Sequence, residues 1–297
     1  MALRIEDLSA LPVELVRSLL PDWVASHVDA PNATRSALVS SLRGLLESVD
    51  DAGILALRQE FAEAGEEYRL YPAVPLARRI TRVFMAGLTA DWTIDGAERL
   101  DRFLTSGPSR RMVICNHLSY TDTQVTDSVL AMAGRAEFAD RLMAIAGPKV
   151  YTDAWRRMAA ISLNTRKTAQ SSAVATEQGA LSPRELATIA LDTIADCERR
   201  MDEGFIVLLY PEGTRSRDGA LQPFLKAAGR YLLAPNLQIL PMAQTGTDRI
   251  YPIDSAIMFA HPVRIVFGEP FVAADYPGKS GALGEAHRRV GELLSLG

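Results

Sequence analysis

Phe205-Ile-Val-Leu-Leu-Tyr210 is an unbroken run of large hydrophobic residues that opens directly into Pro211-Glu-Gly-Thr-Arg-Ser-Arg217. The run shows no polar alternation. A strand with one wet face would alternate, so this one reads as covered on both faces, as in a parallel sheet between helices. The polar segment after it then marks the carboxyl end of a sheet strand. Short apolar runs recur at Met112–Cys115, Leu142–Ala146, Ala159–Leu163, Gln238–Met242 and Val263–Phe267. Amphipathic helical patterns fall at 120–134, 183–203 and 224–234. Strands alternating with helices predict an α/β fold, with a mainly parallel or mixed sheet flanked by helices.

The texture before Trp92 is different. Leu15, Val16, Leu19 and Leu20 form a helical stripe after Pro12, and Pro21 is expected to end it. Ala37, Leu38, Leu42, Leu45 and Leu46 repeat the spacing. A third helix is expected over 53–68 and a fourth over 75–89, with Leu76, Ile80, Val83 and Phe84 on one side. This predicts a small N-terminal helical bundle or cap over residues 1–88, followed by an α/β domain over 89–297. The Ala/Ser/Thr/Gln-rich stretch from Thr168 to Leu181 reads as a loop.

Composition narrows the function classes. The 297 residues, 48% hydrophobic and 23% charged, suit an ordinary globular core. A formal net charge of -4 offers no overall basic field, so nucleic acid is not an expected partner. Cys115 and Cys197 form no C-x-x-C motif, which argues against a disulfide framework or a structural zinc site. Such cysteine usage fits a reducing, cytoplasmic compartment. The opening residues lack a basic n-region before an apolar run, so no signal peptide is expected. No apolar run reaches the roughly 18 residues of a membrane span. His27, His261 and His287 lack metal-like spacing, and no metal site is expected. Gly278-Lys-Ser280 is no phosphate loop, because position 273 is Ala rather than the glycine that motif requires.

The chemistry concentrates at two strand exits. Val113-Ile-Cys-Asn-His-Leu-Ser-Tyr-Thr-Asp122 carries a strand into a helix, with Ser119 and Asp122 in an S-x-x-D capping pattern. Asp122 in the first turn can hydrogen-bond His117 Nδ1, fix its tautomer and leave Nε2 as a base. Taken alone, the same residues read equally as a helix cap and a loop histidine. The second exit holds Glu212, Gly213, Thr214, Arg215, Ser216 and Arg217. Gly213 permits close approach or a positive φ, Arg215 offers a planar fork to phosphate, and Arg217 adds charge. Glu212 is a candidate for orienting an arginine or holding an acceptor hydroxyl. Taken alone, this segment reads equally as a solvated loop. Lys149, in Gly147-Pro-Lys149, and Arg166 and Lys167, in Asn164-Thr-Arg-Lys167, follow other expected strands. Parallel strands would gather all four segments on one sheet edge.

Together these segments resemble the glycerolipid acyltransferase family over residues 90–275. Asn116-His117 and Asp122 are similar to its first block, whose histidine is the general base and whose aspartate supports it. Pro211-Glu-Gly-Thr-Arg-Ser-Arg217 is similar to its third block, which binds the acceptor. Leu240-Pro-Met-Ala243 resembles the fourth block and Gly268-Glu-Pro270 a short element near the domain's end. The second block is matched less closely: Thr165 stands where the family's arginine is usual, and Arg166 or Lys167 follows it. Phe224-Leu-Lys-Ala-Ala228 departs from the family's more basic, glycine-bearing run. The resemblance implies an O-acyltransferase that carries a fatty acyl group from acyl-CoA or acyl carrier protein to a phosphorylated glycerol or lysophospholipid, 1-acylglycerol 3-phosphate first among them. It implies no cofactor beyond that co-substrate, and peripheral contact with the inner membrane face. Glycerol 3-phosphate or another lysolipid is an alternative acceptor. A thioesterase or a non-catalytic lipid carrier are the rival functions outside the family's chemistry.

Overall fold

The structure, a computed structural model, describes residues 5–89, 91–169 and 181–296. Much of the loop expected between Thr168 and Leu181 lies outside the described residues. A 3₁₀ stretch (Ile5–Ala10) precedes α1 (Val13–Ala25), β1 (Val28–Asp29), α2 (Asn32–Glu47), α3 (Asp51–Glu63), β2 (Leu70–Tyr71) and α4 (Pro75–Leu88). The chain continues through β3 (Trp92–Asp95), α5 (Ala97–Thr105), β4 (Arg110–Cys115), α6 (Asp122–Met132), α7 (Ala136–Arg141), β5 (Leu142–Ala146), α8 (Ala154–Ile161), β6 (Asn164–Lys167) and α9 (Pro183–Asp202). The last elements are β7 (Ile206–Leu209), β8 (Leu237–Thr245), α10 (Thr247–Ile250), β9 (Met258–Phe259), β10 (Val263–Phe267), β11 (Phe271–Val272) and α11 (Gly278–Leu294).

The main sheet runs β2-β6-β5-β7-β4-β8-β10-β3, with β11 beside β8. Strands β6, β5, β7, β4 and β8 are mutually parallel, and β10 pairs antiparallel to β8. The sheet is therefore mixed and flanked by helices, as the apolar runs predict. Alternation within β4 explains the layers. Val113 and Cys115 face a core shared with α1–α4, α6 and α8, while Met112 and Ile114 face one built with α9 and α11. The N-terminal helices thus share one hydrophobic core with a face of the sheet, and β2 joins the sheet through β6.

Three local expectations are corrected. Pro21 lies inside α1 instead of ending it. Burial of Val16, Leu20 and Val24 offsets the one missing backbone donor. Residues 226–233 form a 3₁₀ stretch rather than an α-helix. Ala159–Leu163 is the end of α8 and a turn, not a strand. Asp153 caps α8 by accepting the Arg156 N–H at 3.0 Å, and alanines favour the helix.

The strand is the next segment, Asn164–Lys167, polar in sequence and buried throughout. Each polar side chain there is partnered. Asn164 Nδ2 donates to the Asp140 and Leu142 carbonyls, and Tyr151 OH donates to Thr165 Oγ1 at 3.0 Å. Arg166 Nε meets Asp196 Oδ2 at 2.7 Å and its Nη2 meets Asp192 Oδ2 at 2.5 Å. Lys167 donates to the Gly65 carbonyl and stacks on Tyr68. Replacing Arg166 with Met should therefore lower the unfolding free energy by about 3 kcal/mol, the scale of breaking a buried ion pair. Urea denaturation checks this, and a loss under about 0.5 kcal/mol would show the pair is dispensable.

Candidate active site

Strands β4 and β7 are neighbours, so the two polar segments leave the sheet side by side. The chain after β4 turns at Asn116, whose amide is locked to β8. Asn116 Nδ2 donates to the Gln244 carbonyl at 3.0 Å, and Gln244 N–H donates to Asn116 Oδ1 at 2.9 Å. His117 follows at the rim with its side chain one-fifth exposed, while Asp122 is buried.

Asp122 performs several tasks with one carboxylate. Its Oδ2 lies 2.8 Å from His117 Nδ1 and accepts the Leu118 N–H at 2.7 Å. Its Oδ1 accepts the Ser119 N–H at 3.0 Å. The helix begins at Asp122 itself with Thr121 as N-cap and no side-chain cap bond, so the expected S-x-x-D cap is not formed; the carboxylate instead ties the Leu118 and Ser119 N–H groups of the loop to the imidazole. A carboxylate at Nδ1 favours the tautomer that carries its proton there, which leaves Nε2 as the acceptor nitrogen of the ring.

Glu212 joins the two segments. It is 4% exposed, and its Oε1 accepts the His117 N–H at 2.6 Å while Oε2 accepts the Gln222 N–H at 2.8 Å. Burial pushes its carboxyl above the ordinary range, against the pull of those two donors. A second tie runs from Ser216 N–H to the His117 carbonyl at 2.7 Å. Among the described residues the Glu212 carboxylate grips backbone rather than an arginine.

Gly213 adopts φ +71°, and a Cβ there would lie 2.3 Å from Leu225 Cδ1. A residue with a side chain would be strained on both counts. Arg215 lies over the Tyr120 ring, its Cζ 3.7 Å from the centroid, which brings the guanidinium to the loop that carries His117. Thr214 and Arg217 are exposed on the same loop. Lys149 stands in a 3₁₀ turn after β5, on the same carboxyl edge of the sheet. Arg166 and Lys167 are not brought to this site; their side chains are occupied within the structure described above.

Some contributors carry no motif. Tyr210 stacks on the imidazole, centroids 4.6 Å apart and planes 28° from parallel. An aromatic face against that ring restrains its orientation. Tyr210 OH lies 3.0 Å from Thr123 Oγ1, and burial with nearby Asp122 pushes its phenol well up, so it stays protonated. The position of Tyr210 at the end of an apolar strand, just before Pro211, is the signal that could have singled it out. Cys115 is fully buried, and desolvation together with Asp122 and Glu212 pushes its thiol up, which leaves it a poor nucleophile. Among the described residues, no group of three or more His, Cys, Asp or Glu is placed to hold a metal ion. No helix among them is long and apolar enough to cross a membrane.

The acyltransferase family model matches residues 93–245, about half of the chain, and the protein belongs to that family. The sequence resemblance to glycerolipid acyltransferases agrees with this membership. The 1-acyl-sn-glycerol-3-phosphate acyltransferase BAT2, chloroplastic, of Brassica napus is 32% identical over 108 residues, 36% of this chain and 30% of that one. LPAT1, chloroplastic, of Arabidopsis thaliana is 30% identical over 108 residues, 36% and 29% of the two chains. The matched segment thus spans about a third of the length of these plant relatives. The crystal structure of the 1-acyl-sn-glycerophosphate acyltransferase PlsC from Thermotoga maritima shares the fold, with TM-score 0.53 and 16% identity over 95% of this chain and 97% of that one.

Glu212→Gln removes one of the two acceptors and places an NH2 group against a backbone donor. Acyl-transfer turnover should fall by about tenfold or more, on the scale of lost ligand orientation. Thermal unfolding should shift little, because removal of a costly buried charge offsets the unpaired backbone donor. Wild-type turnover in this variant would show that the grip on His117 is not needed.

Proposed function

We propose that this protein transfers a fatty acyl group from a thioester, acyl-CoA or acyl carrier protein, to the free hydroxyl of a phosphorylated glycerol, with 1-acylglycerol 3-phosphate as the main acceptor. The carrying observation is the His117–Asp122 pair, with Nε2 free at a rim that also holds Arg215. The acceptor named for the plant relatives supports the choice of substrate.

An alcohol is a weak nucleophile at neutral pH. His117 Nε2 takes the hydroxyl proton as the oxygen attacks the thioester carbonyl carbon, a contribution of about 10²–10⁴-fold for a positioned base. Asp122 stabilises the imidazolium that forms. The tetrahedral adduct then collapses, the C–S bond breaks, and the imidazolium returns its proton to the leaving thiolate. Arg215 holds the acceptor phosphate so that the hydroxyl meets Nε2. The reaction needs no metal or further cofactor. The setting is cytoplasmic, with peripheral contact where the acceptor resides in a membrane.

Glycerol 3-phosphate and other lysolipids remain in the acceptor panel. Thioester hydrolysis would use the same pair, but water needs no cation at the rim.

Product analysis by mass spectrometry, with both donor types and a panel of acceptors, tests this reading. Acylated phosphorylated product is expected with wild type. His117→Ala should reduce its formation by at least about 10²-fold while the folded circular-dichroism spectrum persists. Thiol release that is independent of acceptor, with no acylated product, would replace this function with hydrolysis.

A further inference from the structure

The Tyr120 ring carries a second guanidinium. Arg156 Cζ lies 5.0 Å from the ring centroid that Arg215 approaches at 3.7 Å. Tyr120 is three residues after His117, so both cations border the loop of the base. Among the described residues, neither guanidinium donates a hydrogen bond to protein. Arg157, its neighbour, differs: Arg157 Nε donates to the Tyr151 carbonyl at 3.0 Å, and the group packs on Phe61. Arg157 is thus a structural residue and Arg156 is not committed.

The placement of Arg156 also runs against helix electrostatics. It lies in the first turn of α8, where the helix dipole disfavours a cation. Its acidic neighbour is Asp153, with Oδ1 3.7 Å from Arg156 Nε, beyond hydrogen-bond length. That same oxygen is occupied in capping the helix. Tyr251 completes the surroundings. Its phenol is raised chiefly by burial and by Asp153, and is opposed by both Arg156 and Arg215. Two arginine forks and the Tyr251 and Tyr120 rings therefore share one partly exposed rim.

We propose that Arg156 is a second cation of the acceptor site, gripping with Arg215 the phosphomonoester of a glycerol phosphate. This rests on the function proposed above and adds its specificity determinant. A phosphate monoester carries close to two charges and three acceptor oxygens, more than one fork can satisfy. Tyr120 holds both forks in place before the anion arrives, which lowers the ordering cost of binding. The shared chemistry admits a lysolipid headgroup or free glycerol 3-phosphate.

The test uses the full chain with wild type, R156A and R156K. KM is measured for 1-acylglycerol 3-phosphate, for glycerol 3-phosphate and for monoacylglycerol, the dephosphorylated counterpart. R156A should raise KM for the phosphorylated acceptor by about tenfold or more, the scale of a lost charge-assisted contact. Preference over the dephosphorylated acceptor should fall by the same factor, and R156K should recover part of it. The phosphorylated acceptor whose KM responds identifies the source of the anion. Equal KM rises with both acceptor types, a rise in donor KM alone, or no change would each overturn the proposal. Direct calorimetric titration with glycerol 3-phosphate reads the anion site without turnover. Binding lost in R156A upholds the site even where wild type acylates no glycerol acceptor, an outcome that would reject the proposed reaction instead. Equal binding by wild type and R156A rejects the role of Arg156.

Discussion

The carboxylate of Glu212 takes a backbone N–H from each of two directions, His117 on the loop after β4 and Gln222 farther along its own loop. Everything at the rim depends on that grip, because it fixes the main chain from which the imidazole projects. The group is energetically awkward. Burial raises its carboxyl above the ordinary glutamate range, so the folded state binds a proton there more tightly than the unfolded chain does. The stability from that preference is fully present below the ordinary glutamate range and is lost as pH rises through the elevated folded value. As a carboxylate, the buried group is therefore held in the fold at a cost. Two backbone donors reduce the cost, and the return is a His117 main chain that cannot drift from Asp122. Positioning of this kind is worth more to a proton transfer than the fraction of stability it consumes.

Asp122 shows why the first motif was legible. A capping aspartate and a histidine-orienting aspartate need the same spacing; here the carboxylate reaches His117 Nδ1 and the N–H groups of the loop ahead of the helix, and the N-cap position falls to Thr121. The sequence therefore displayed the pair without deciding between its meanings. The adjacency of the two exits was legible too, because unbroken apolar strands imply a parallel sheet whose carboxyl ends gather. The role of Glu212 was not legible, since a side chain that holds backbone leaves no pattern in the sequence. Tyr210 and the proposed Arg156 were missed for a related reason: each makes a ring contact across the fold, and neither sits in a spaced motif.

The polar strand β6 exposes the limit of hydrophobic patterning. Asn164, Thr165, Arg166 and Lys167 look like a surface loop, and the apolar residues before them look like the strand. The structure reverses this, because Asp153 starts a helix that consumes the apolar residues, and α9 supplies Asp192 and Asp196 to the arginine that enters the sheet. A buried cation is tolerable only when its partners are assembled from distant chain segments. Such partners are invisible to any local reading, so the segment was assigned to the loop that its composition suggests.

The same reasoning separates arginines by what their forks already hold. Arg82 and Arg166 have planar donors engaged by carboxylates, and binding a ligand there would first require breaking those pairs. Arg215 and Arg156 are held by an aromatic face, which restrains the guanidinium without using its N–H groups. A cation stacked on a ring keeps its edge donors for an incoming anion, whereas a cation in a salt bridge has spent them. Sequence resemblance pointed toward Arg166 or Lys167 because of their position after the expected strand. The physical criterion points instead to the arginines that share Tyr120, since an anion can dock there without displacing any internal partner. Tyr120 belongs to the His117 loop, so the proposed phosphate grip and the proposed base would both be set by one short segment of chain. On the proposed reading, that economy ties where the acceptor is held to where its hydroxyl loses a proton.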